Sequence, residues 1–328
     1  MSITCIQEKS SFPNFYFILK GFLLNTLIKN VKITIGCILG LIFLSRRGKN
    51  MGYFDFVKQS EFILCIDSDG CAMDTMEVKH RECFGPQWIY TYGLEDRFEE
   101  CMKLWLDINL YSITRGINRF KGLALALVEM EKRGCEFEGL EEFVTWTKEA
   151  KELSNPALLA LTQKSSSKCI ELALLWSIRT NRAIHNLPAD DKPFDNVKMA
   201  MDEMCKSADL VAVSSANGEA VEAEWTKHEL IDDCRVLLCQ EAGSKAYCVS
   251  EMIRKGYEKE KILVVGDAPG DRDAAVKNAV WYYPILVGKE GYSWERLLNE
   301  AFPRLLDGTF DEAYQQQLIK EFETNLGV

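Results

Sequence analysis

Histidine is scarce in this sequence, and paired cysteine motifs are missing. Three histidines among 328 residues, His80, His185 and His228, leave little material for a histidine-rich zinc site or a histidine-based catalytic triad. The twelve cysteines include no CxxC pair, and several lie in apolar runs. That distribution favours free, buried thiols in a reducing compartment over a disulfide framework.

An excess of positive charge is also missing. Acidic residues outnumber basic ones by 49 to 39, and the net charge is −10. The negative electrostatic field of such a protein repels a phosphate backbone, so we do not expect a dedicated nucleic-acid-binding protein. The charge is uneven, however, because residues 1–50 carry a net +6 and the remainder −16.

Residues 1–50 therefore look like a leader that is not part of the fold. Their apolar run 33–45 is shorter than the ~20 residues that span a bilayer, and no small-residue cleavage site follows it. We expect the true start to be Met51, because Arg46-Arg47 can be encoded by a ribosome-binding sequence at a suitable distance upstream. The expected location is then cytoplasmic. The alternative is a membrane anchor formed by residues 15–45, so we expect a membrane contact only if residues 1–50 are translated.

Short apolar runs that end in acids, serines or glycines recur along the rest of the chain. They are "EFILCIDSDG" (61–70), "DLVAVSSANG" (209–218), "CRVLLCQEAGS" (234–244), "KILVVGDAPGD" (261–271) and "VWYYPILVG" (280–288). Strands alternating with helical stretches predict an α/β fold, a Rossmann-like parallel sheet with helices on both faces. Residues 76–205 are too many for a loop and have helical periodicity, so we expect an inserted all-helical cap domain there. The core would then comprise residues 51–75 and 206–328.

The unusual polar residues follow the predicted strands. Since ligands bind at the carboxyl ends of strands in an open parallel sheet, we expect the following side chains to share one edge: Asp67, Asp69, Ser214, Ser215, Lys245, Asp267 and Asp271. Converging carboxylates repel each other, and a divalent cation removes that conflict. Oxygen ligands with few histidines favour Mg²⁺, which commonly shares its site with a phosphate.

Each of these residues also has a purely structural explanation. An Asp or Ser after a strand is often a turn residue or a helix N-cap, and a single lysine is often solvated. Asp74 with Glu77 three residues later fits a capping box. The functional interpretation depends on several such residues occurring in order along one edge.

The motifs at these strand ends resemble those of the haloacid dehalogenase-like hydrolases. "DSDGCAMDT" (67–75) is similar to the family's first motif, and "GDAPGD" (266–271) to its fourth. "LVAVSS" and Lys245 match the second and third motifs, which are weak by themselves. Two departures are Cys71, where Thr or Val is usual, and Ala246, where a proline often follows the lysine.

The resemblance implies a role for each matching residue. Asp67 would be the nucleophile that accepts the phosphoryl group, and Asp69 the general acid and then the base. Ser214 and Lys245 would hold phosphoryl oxygens, helped by N–H groups at a helix start near Ser215 and Ala216. The Mg²⁺ ligands would be Asp267, Asp271, a carboxylate oxygen of Asp67 and the backbone carbonyl of Asp69.

The cap would carry specificity. In "TRGINRFKG" (114–122), Arg115, Arg119 and Lys121 are candidates for an anionic part of the substrate, although solvated bases at a helix start would look the same. His80, near the hinge, is a candidate contact for the leaving group.

The expected function is a magnesium-dependent phosphatase that acts on a small phosphorylated metabolite through an aspartyl-phosphate. A phosphomutase of the same fold and a non-catalytic binding protein that kept the fold are the alternatives. The sequence does not distinguish phosphatase from mutase, and it does not give the substrate or the oligomeric state.

Overall fold

A five-stranded parallel sheet lies at the centre of the chain. The computed structural model describes residues 53–188 and 190–328. Each apolar run forms a strand at the expected place: β1 Phe62–Ile66, β2 Ala208–Val213, β3 Cys234–Leu238, β4 Ile262–Gly266 and β5 Trp281–Pro284. All neighbours pair in parallel, in the order β3-β2-β1-β4-β5. Because the chain changes direction across the sheet between β1 and β4, a crevice forms at their carboxyl ends.

The chain between β1 and β2 is helical, and within the described residues no strand interrupts it. The first helix, α1 Met76–Val78, continues through a π-helical turn, Lys79–Phe84, into α2 Gly85–Tyr92. This wider turn lies directly before Pro86, which has no N–H for an α-helical bond to the preceding turn. The helices that follow are α3 Phe98–Asn109, α4 Arg119–Lys132, α5 Leu140–Glu149, α6 Asn155–Thr162, α7 Lys168–His185 and α8 Val197–Met204.

Helices also separate the remaining strands and close the chain. They are α9 Gly218–Lys227, α10 Lys245–Arg254, α11 Pro269–Asn278, α12 Glu290–Arg296, α13 Phe302–Asp307 and α14 Glu312–Asn325. Strand side chains alternate between the two faces of the sheet. Leu64 and Ile66 pack into one hydrophobic cluster with residues of α8, α9 and α12–α14. The α/β fold with a parallel sheet and an inserted helical region is confirmed.

The helices between residues 85 and 176 have a separate hydrophobic core. It contains Trp88, Trp105 and Trp176, all fully buried, with apolar side chains of α2–α7 around them. Helix α8 differs, because its apolar side chains pack in the cluster of the sheet. The helical insertion therefore has a hydrophobic core of its own.

Two segments connect the sheet to the helical insertion, and they lie side by side. Met73 forms an isolated bridge with Pro193, and the N–H of Asp74 donates to the carbonyl of Lys192 at 2.8 Å. The predicted capping box does not form. The N-cap of α1 is Thr75, without a side-chain cap bond, because the Thr75 hydroxyl donates to Asp69 instead.

The predictions for residues 1–50, namely the leader, the start at Met51 and the anchor through residues 15–45, lie outside the described residues. Within residues 53–188 and 190–328, no helix combines the length and the apolar character that a membrane span requires.

Candidate active site

Three carboxylates meet at the carboxyl ends of β1 and β4. Asp67 directly follows β1, Asp267 follows β4, and Asp271 lies in the first turn of α11. One oxygen of each carboxylate lies within 4.8 Å of an oxygen of the other two. All three side chains are buried. The structure thus brings Asp67 of the first motif together with both acids of the fourth motif.

Lys245 is the cation at the centre of this cluster. It is the first residue of α10, which Ser244 caps through the N–H of Tyr247. The Lys245 ammonium lies 2.9 Å from Asp67 Oδ1 and 2.7 Å from Asp271 Oδ1. Ala246 in place of the usual proline therefore leaves the lysine in contact with the cluster.

The charges of the cluster show in the pKa values of its members. Burial raises the pKa of Asp67 well above its ordinary value, and the neighbouring Asp271 and Asp267 raise it further, although Lys245 opposes them. The pKa of Asp271 is also raised, mainly by burial. Burial opposes the charge of Lys245, but its two carboxylate partners outweigh burial and raise the lysine pKa. Lys245 therefore stays charged at neutral pH.

Asp267 has one oxygen that is not satisfied. Its Oδ2 accepts from Arg115 Nε at 2.6 Å, whereas Oδ1 is buried and has no hydrogen-bond partner among the described residues. A buried carboxylate oxygen without a partner is costly. A divalent cation bound by oxygens would satisfy it, so the residues present fit Mg²⁺.

Asp69 has different surroundings from Asp67. Its Oδ1 accepts from the Thr75 hydroxyl at 2.5 Å and from Lys79 Nζ at 2.9 Å. Burial would raise the pKa of Asp69, but Lys79 and Thr75 together lower it below its ordinary value. The side chain is not among the three that meet as potential metal ligands.

Lys79 and Glu224 are site residues that the sequence reasoning missed. Lys79 also contacts Glu224 Oε1 of α9 at 3.3 Å, so it joins the helical insertion to Asp69 and to α9. The four-residue spacing between Thr75 and Lys79 is a weak signal that both lie on one helix face. Nothing local in the sequence indicates Glu224.

The second motif lies at the end of β2. Ser214 is buried, and its Oγ accepts from the N–H of Ala216 at 3.1 Å, so its own hydroxyl proton remains available to an incoming oxygen. Ser215 is exposed. The helix that was expected to start near Ser215 and Ala216 starts at Gly218, because Asn217 is the N-cap and accepts from two N–H groups of the first turn.

The candidate residues of the cap separate into different environments. Arg115 reaches Asp267 in the core. Arg119, at the start of α4, donates to Asn181 Oδ1 at 2.5 Å and lies over the Phe84 ring. Lys121 is exposed on α4. His80 accepts from the Trp105 indole N–H at 3.0 Å, and burial lowers its pKa to about 3, so it is a neutral imidazole near pH 7.

The segments that resemble the four motifs thus follow strands of one parallel sheet, and a helical insertion follows β1. The chain has a Rossmann-like α/β core with a helical cap, the architecture that the resemblance to the haloacid dehalogenase-like hydrolases implies. No protein-family model matches the sequence, and no curated protein matches it either.

Several solved structures are similar to this chain at low identity. One from Lactobacillus delbrueckii subsp. bulgaricus, assigned as a phosphoglycolate phosphatase, is 13% identical, with 74% of this chain and 92% of that chain covered and a TM-score of 0.45. A haloacid dehalogenase-like hydrolase from Streptococcus pneumoniae is 11% identical over 71% of this chain and 90% of that one, with a TM-score of 0.39. A magnesium-bound structure from Bacillus subtilis, assigned as a hydrolase of this type, is 13% identical over 69% and 87%, with a TM-score of 0.37.

Proposed function

We propose that this chain is a magnesium-dependent phosphate-monoester hydrolase that acts on a small phosphorylated metabolite through an aspartyl-phosphate on Asp67. The observation that carries the proposal is the unbalanced charge of the buried cluster. Three carboxylates face two cationic side chains, Lys245 and Arg115, and Asp267 Oδ1 has no partner within the described residues. A divalent cation that also binds a phosphate dianion suits that imbalance.

The proposed metal ligands are Asp67, Asp267, Asp271 and the backbone carbonyl of Asp69. When bound, Mg²⁺ would supply positive charge that favours ionised Asp67 and neutralises phosphoryl oxygens. Lys245 adds a charged donor at the same place, since it contacts both Asp67 and Asp271. Ser214 would donate its hydroxyl proton to another phosphoryl oxygen.

In the first half-reaction, a carboxylate oxygen of Asp67 would attack phosphorus while the bond from phosphorus to the leaving oxygen breaks. Asp69 would give its proton to the leaving alcohol. In the second half-reaction, Asp69 would take a proton from water as the water oxygen attacks phosphorus and releases Asp67 and inorganic phosphate. The lowered pKa of Asp69 favours the ionised form that this second step needs. The first step needs the protonated form, which the contact with Lys79 disfavours.

The experiment that tests this function is a panel of phosphate monoesters, including p-nitrophenyl phosphate, assayed with Mg²⁺ and with EDTA. We expect turnover only with the metal, and its loss in Asp67→Asn, which is nearly isosteric but lacks the nucleophilic charge. Undiminished turnover in thoroughly metal-free enzyme, or more than a few per cent of the wild-type kcat in the variant, would contradict the mechanism. No turnover on any ester would favour a non-catalytic binding protein.

A further inference from the structure

Arg115 connects the helical insertion to the proposed metal site. It lies between α3 and α4, and its Nε donates to Asp267 Oδ2 at 2.6 Å. Its Nη1 donates to the carbonyl of Leu110 at 2.9 Å, which fixes the guanidinium to the end of α3. The side chains of Arg115 and Asp267 are 4% and 1% exposed. This ion pair is therefore buried and not a surface contact.

One glycine makes room for the pair, and a second lets the neighbouring segments approach closely. A Cβ on Gly70 would lie 2.6 Å from Asp267 Oδ2 and 2.7 Å from Arg115 Nη2. On the other side, a Cβ on Gly116 would lie 2.7 Å from the Cβ of Ala268, so the two loops touch beside the ion pair. Both glycines have positive φ, +82° and +67°, which disfavours any other residue.

The Arg115 guanidinium lies beside Asp267, the carboxylate that a divalent cation would also bind. Arg115 neutralises part of Asp267, whose Oδ1 is the unpartnered oxygen of the cluster. A divalent cation at that oxygen would lie within a few ångströms of a fixed positive charge, in a buried setting that screens little. A phosphate dianion bound at the same edge would reduce this repulsion.

We propose that Arg115 competes electrostatically with the divalent cation for Asp267, so that the ion pair and cation binding oppose each other until a phosphate group is present. This inference rests on the proposed function for its choice of metal. Arg115 is then a positioning residue that links the cap contact to occupancy of the metal site. By reciprocity, the cation weakens the contact to the same extent that the contact weakens cation binding.

The test is a titration of EDTA-stripped full-length protein with Mn²⁺, with free Mn²⁺ followed by electron paramagnetic resonance. We expect Arg115→Gln to bind Mn²⁺ at least about fivefold tighter than wild type, the lower end of typical coupling between sites. Arg115→Lys, which keeps the charge, should stay near wild type. The matched control is Arg133→Gln, since Arg133 lies in the same insertion but pairs with Glu100 and Glu129 at its surface; its affinity should not change. With saturating inorganic phosphate, the advantage of Arg115→Gln should shrink.

A second variant keeps every charge in place. Gly116→Ala should push the loop away from Ala268 and also tighten Mn²⁺ binding, with folding of each variant checked by circular dichroism. In wild type, which needs no variant, Mn²⁺ should speed hydrogen exchange in residues 110–118, and this effect should be absent in Arg115→Gln.

Unchanged or weaker Mn²⁺ binding in Arg115→Gln would overturn the inference, and weaker binding rescued by Arg115→Lys would show that the arginine orients Asp267 instead. Absence of Mn²⁺ binding in all proteins would overturn both this inference and the metal dependence. Turnover of phosphate esters with equal Mn²⁺ affinities would overturn this inference alone. Tighter binding in Arg115→Gln without any turnover would overturn only the proposed function.

Discussion

Buried carboxylates lie at both ends of the strands, at the amino edge and at the carboxyl edge of the sheet, but they differ in how completely their oxygens are hydrogen-bonded. Asp209, at the amino end of β2, is completely buried and accepts from four donors: the N–H groups of Gln59 and Ser60, the Tyr257 hydroxyl and Arg235 Nε. At the carboxyl edge, Asp67 shares one lysine with Asp271, and Asp267 leaves an oxygen without a partner among the described residues. A carboxylate that serves only structure is fully satisfied, whereas the carboxyl edge keeps capacity for a ligand.

The pKa values follow the same division. Burial opposes the charge at both edges. At Asp209, Tyr257 and the other donors outweigh burial and lower the pKa below its ordinary value. At Asp67, burial and the two acidic neighbours outweigh Lys245 and raise the pKa. Asp209 therefore adds stability that is present above the pKa of the unfolded chain and is lost as the pH falls through the folded pKa. The charge of Asp67 costs stability near pH 7.

The matched substitutions Asp209→Asn and Asp67→Asn should separate these two conditions by the largest effect. We expect Asp209→Asn to lower the free energy of unfolding by about 3–5 kcal/mol, because it leaves Arg235 and other buried donors facing an amide. Asp67→Asn should leave the stability unchanged or raise it, since it removes a charge that burial disfavours. Urea unfolding at pH 7 measures both.

An equal loss of stability in the two variants would contradict this difference. It would mean that Asp67 stabilises the fold as much as Asp209 does. Repeating the unfolding without and with Mg²⁺ sharpens the test. The metal should stabilise wild type and Asp209→Asn, and should stabilise Asp67→Asn less, because that variant lacks one proposed ligand.

A second contrast lies within the carboxyl edge, between Asp67 with a raised pKa and Asp69 with a lowered one. Lys79→Met keeps the length of the side chain but removes the charge that lowers the pKa of Asp69. The pKa of Asp69 should rise, so the limb of the pH–rate profile on which Asp69 loses its proton should move to higher pH. The measurement is kcat/KM for p-nitrophenyl phosphate against pH.

Lys192→Met is the control for this change. Lys192 is an exposed lysine in the segment that leads from the helical insertion back to the sheet, and its Nζ lies 3.7 Å from Asp74 Oδ2. Its loss should leave the pH profile of kcat/KM unchanged. A kcat/KM profile that does not move in Lys79→Met would contradict the prediction, because kcat/KM reports the free enzyme, in which Lys79 contacts Asp69.

The sequence predicted features that depend on neighbouring residues or on the order of motifs along the chain. All five strands are where the apolar runs placed them, because a buried parallel strand needs a continuous apolar segment. The helical region after β1 was predicted from its periodicity. Lys245 was expected near the acids although Ala246 departs from the family pattern, and its place at the start of α10 depends on the Ser244 cap.

The sequence did not predict pairs that join distant parts of the chain. Arg115 was expected to meet a substrate anion, and the structure pairs it with Asp267, 152 residues away. The four donors to Asp209 come from three other segments. Such contacts depend on how the elements pack, which no periodicity or motif encodes. The sequence predicted a capping box at Asp74, whereas the N-cap in the structure is Thr75. The Thr75 hydroxyl makes no capping bond because it donates to Asp69, which is another contact that the local sequence does not indicate.

Arg119 offers the mildest contrast, between a paired and an unpaired arginine of the insertion. Arg115 has Asp267, whereas among the described residues Arg119 has only neutral partners, Asn181, Ser177 and the Phe84 ring. Burial lowers the pKa of Arg119 to about 10, so it remains charged near pH 7 and keeps capacity for an anion.

We expect Arg119→Ala to raise KM by about tenfold for a substrate with a second anionic group, roughly the value of one charged hydrogen bond. It should change kcat/KM for p-nitrophenyl phosphate little, and Arg179→Ala, which removes an exposed arginine of α7, should change neither. Equal losses on both substrates would instead place Arg119 in the packing of α4 against α7, because its Asn181 and Ser177 partners both lie on α7.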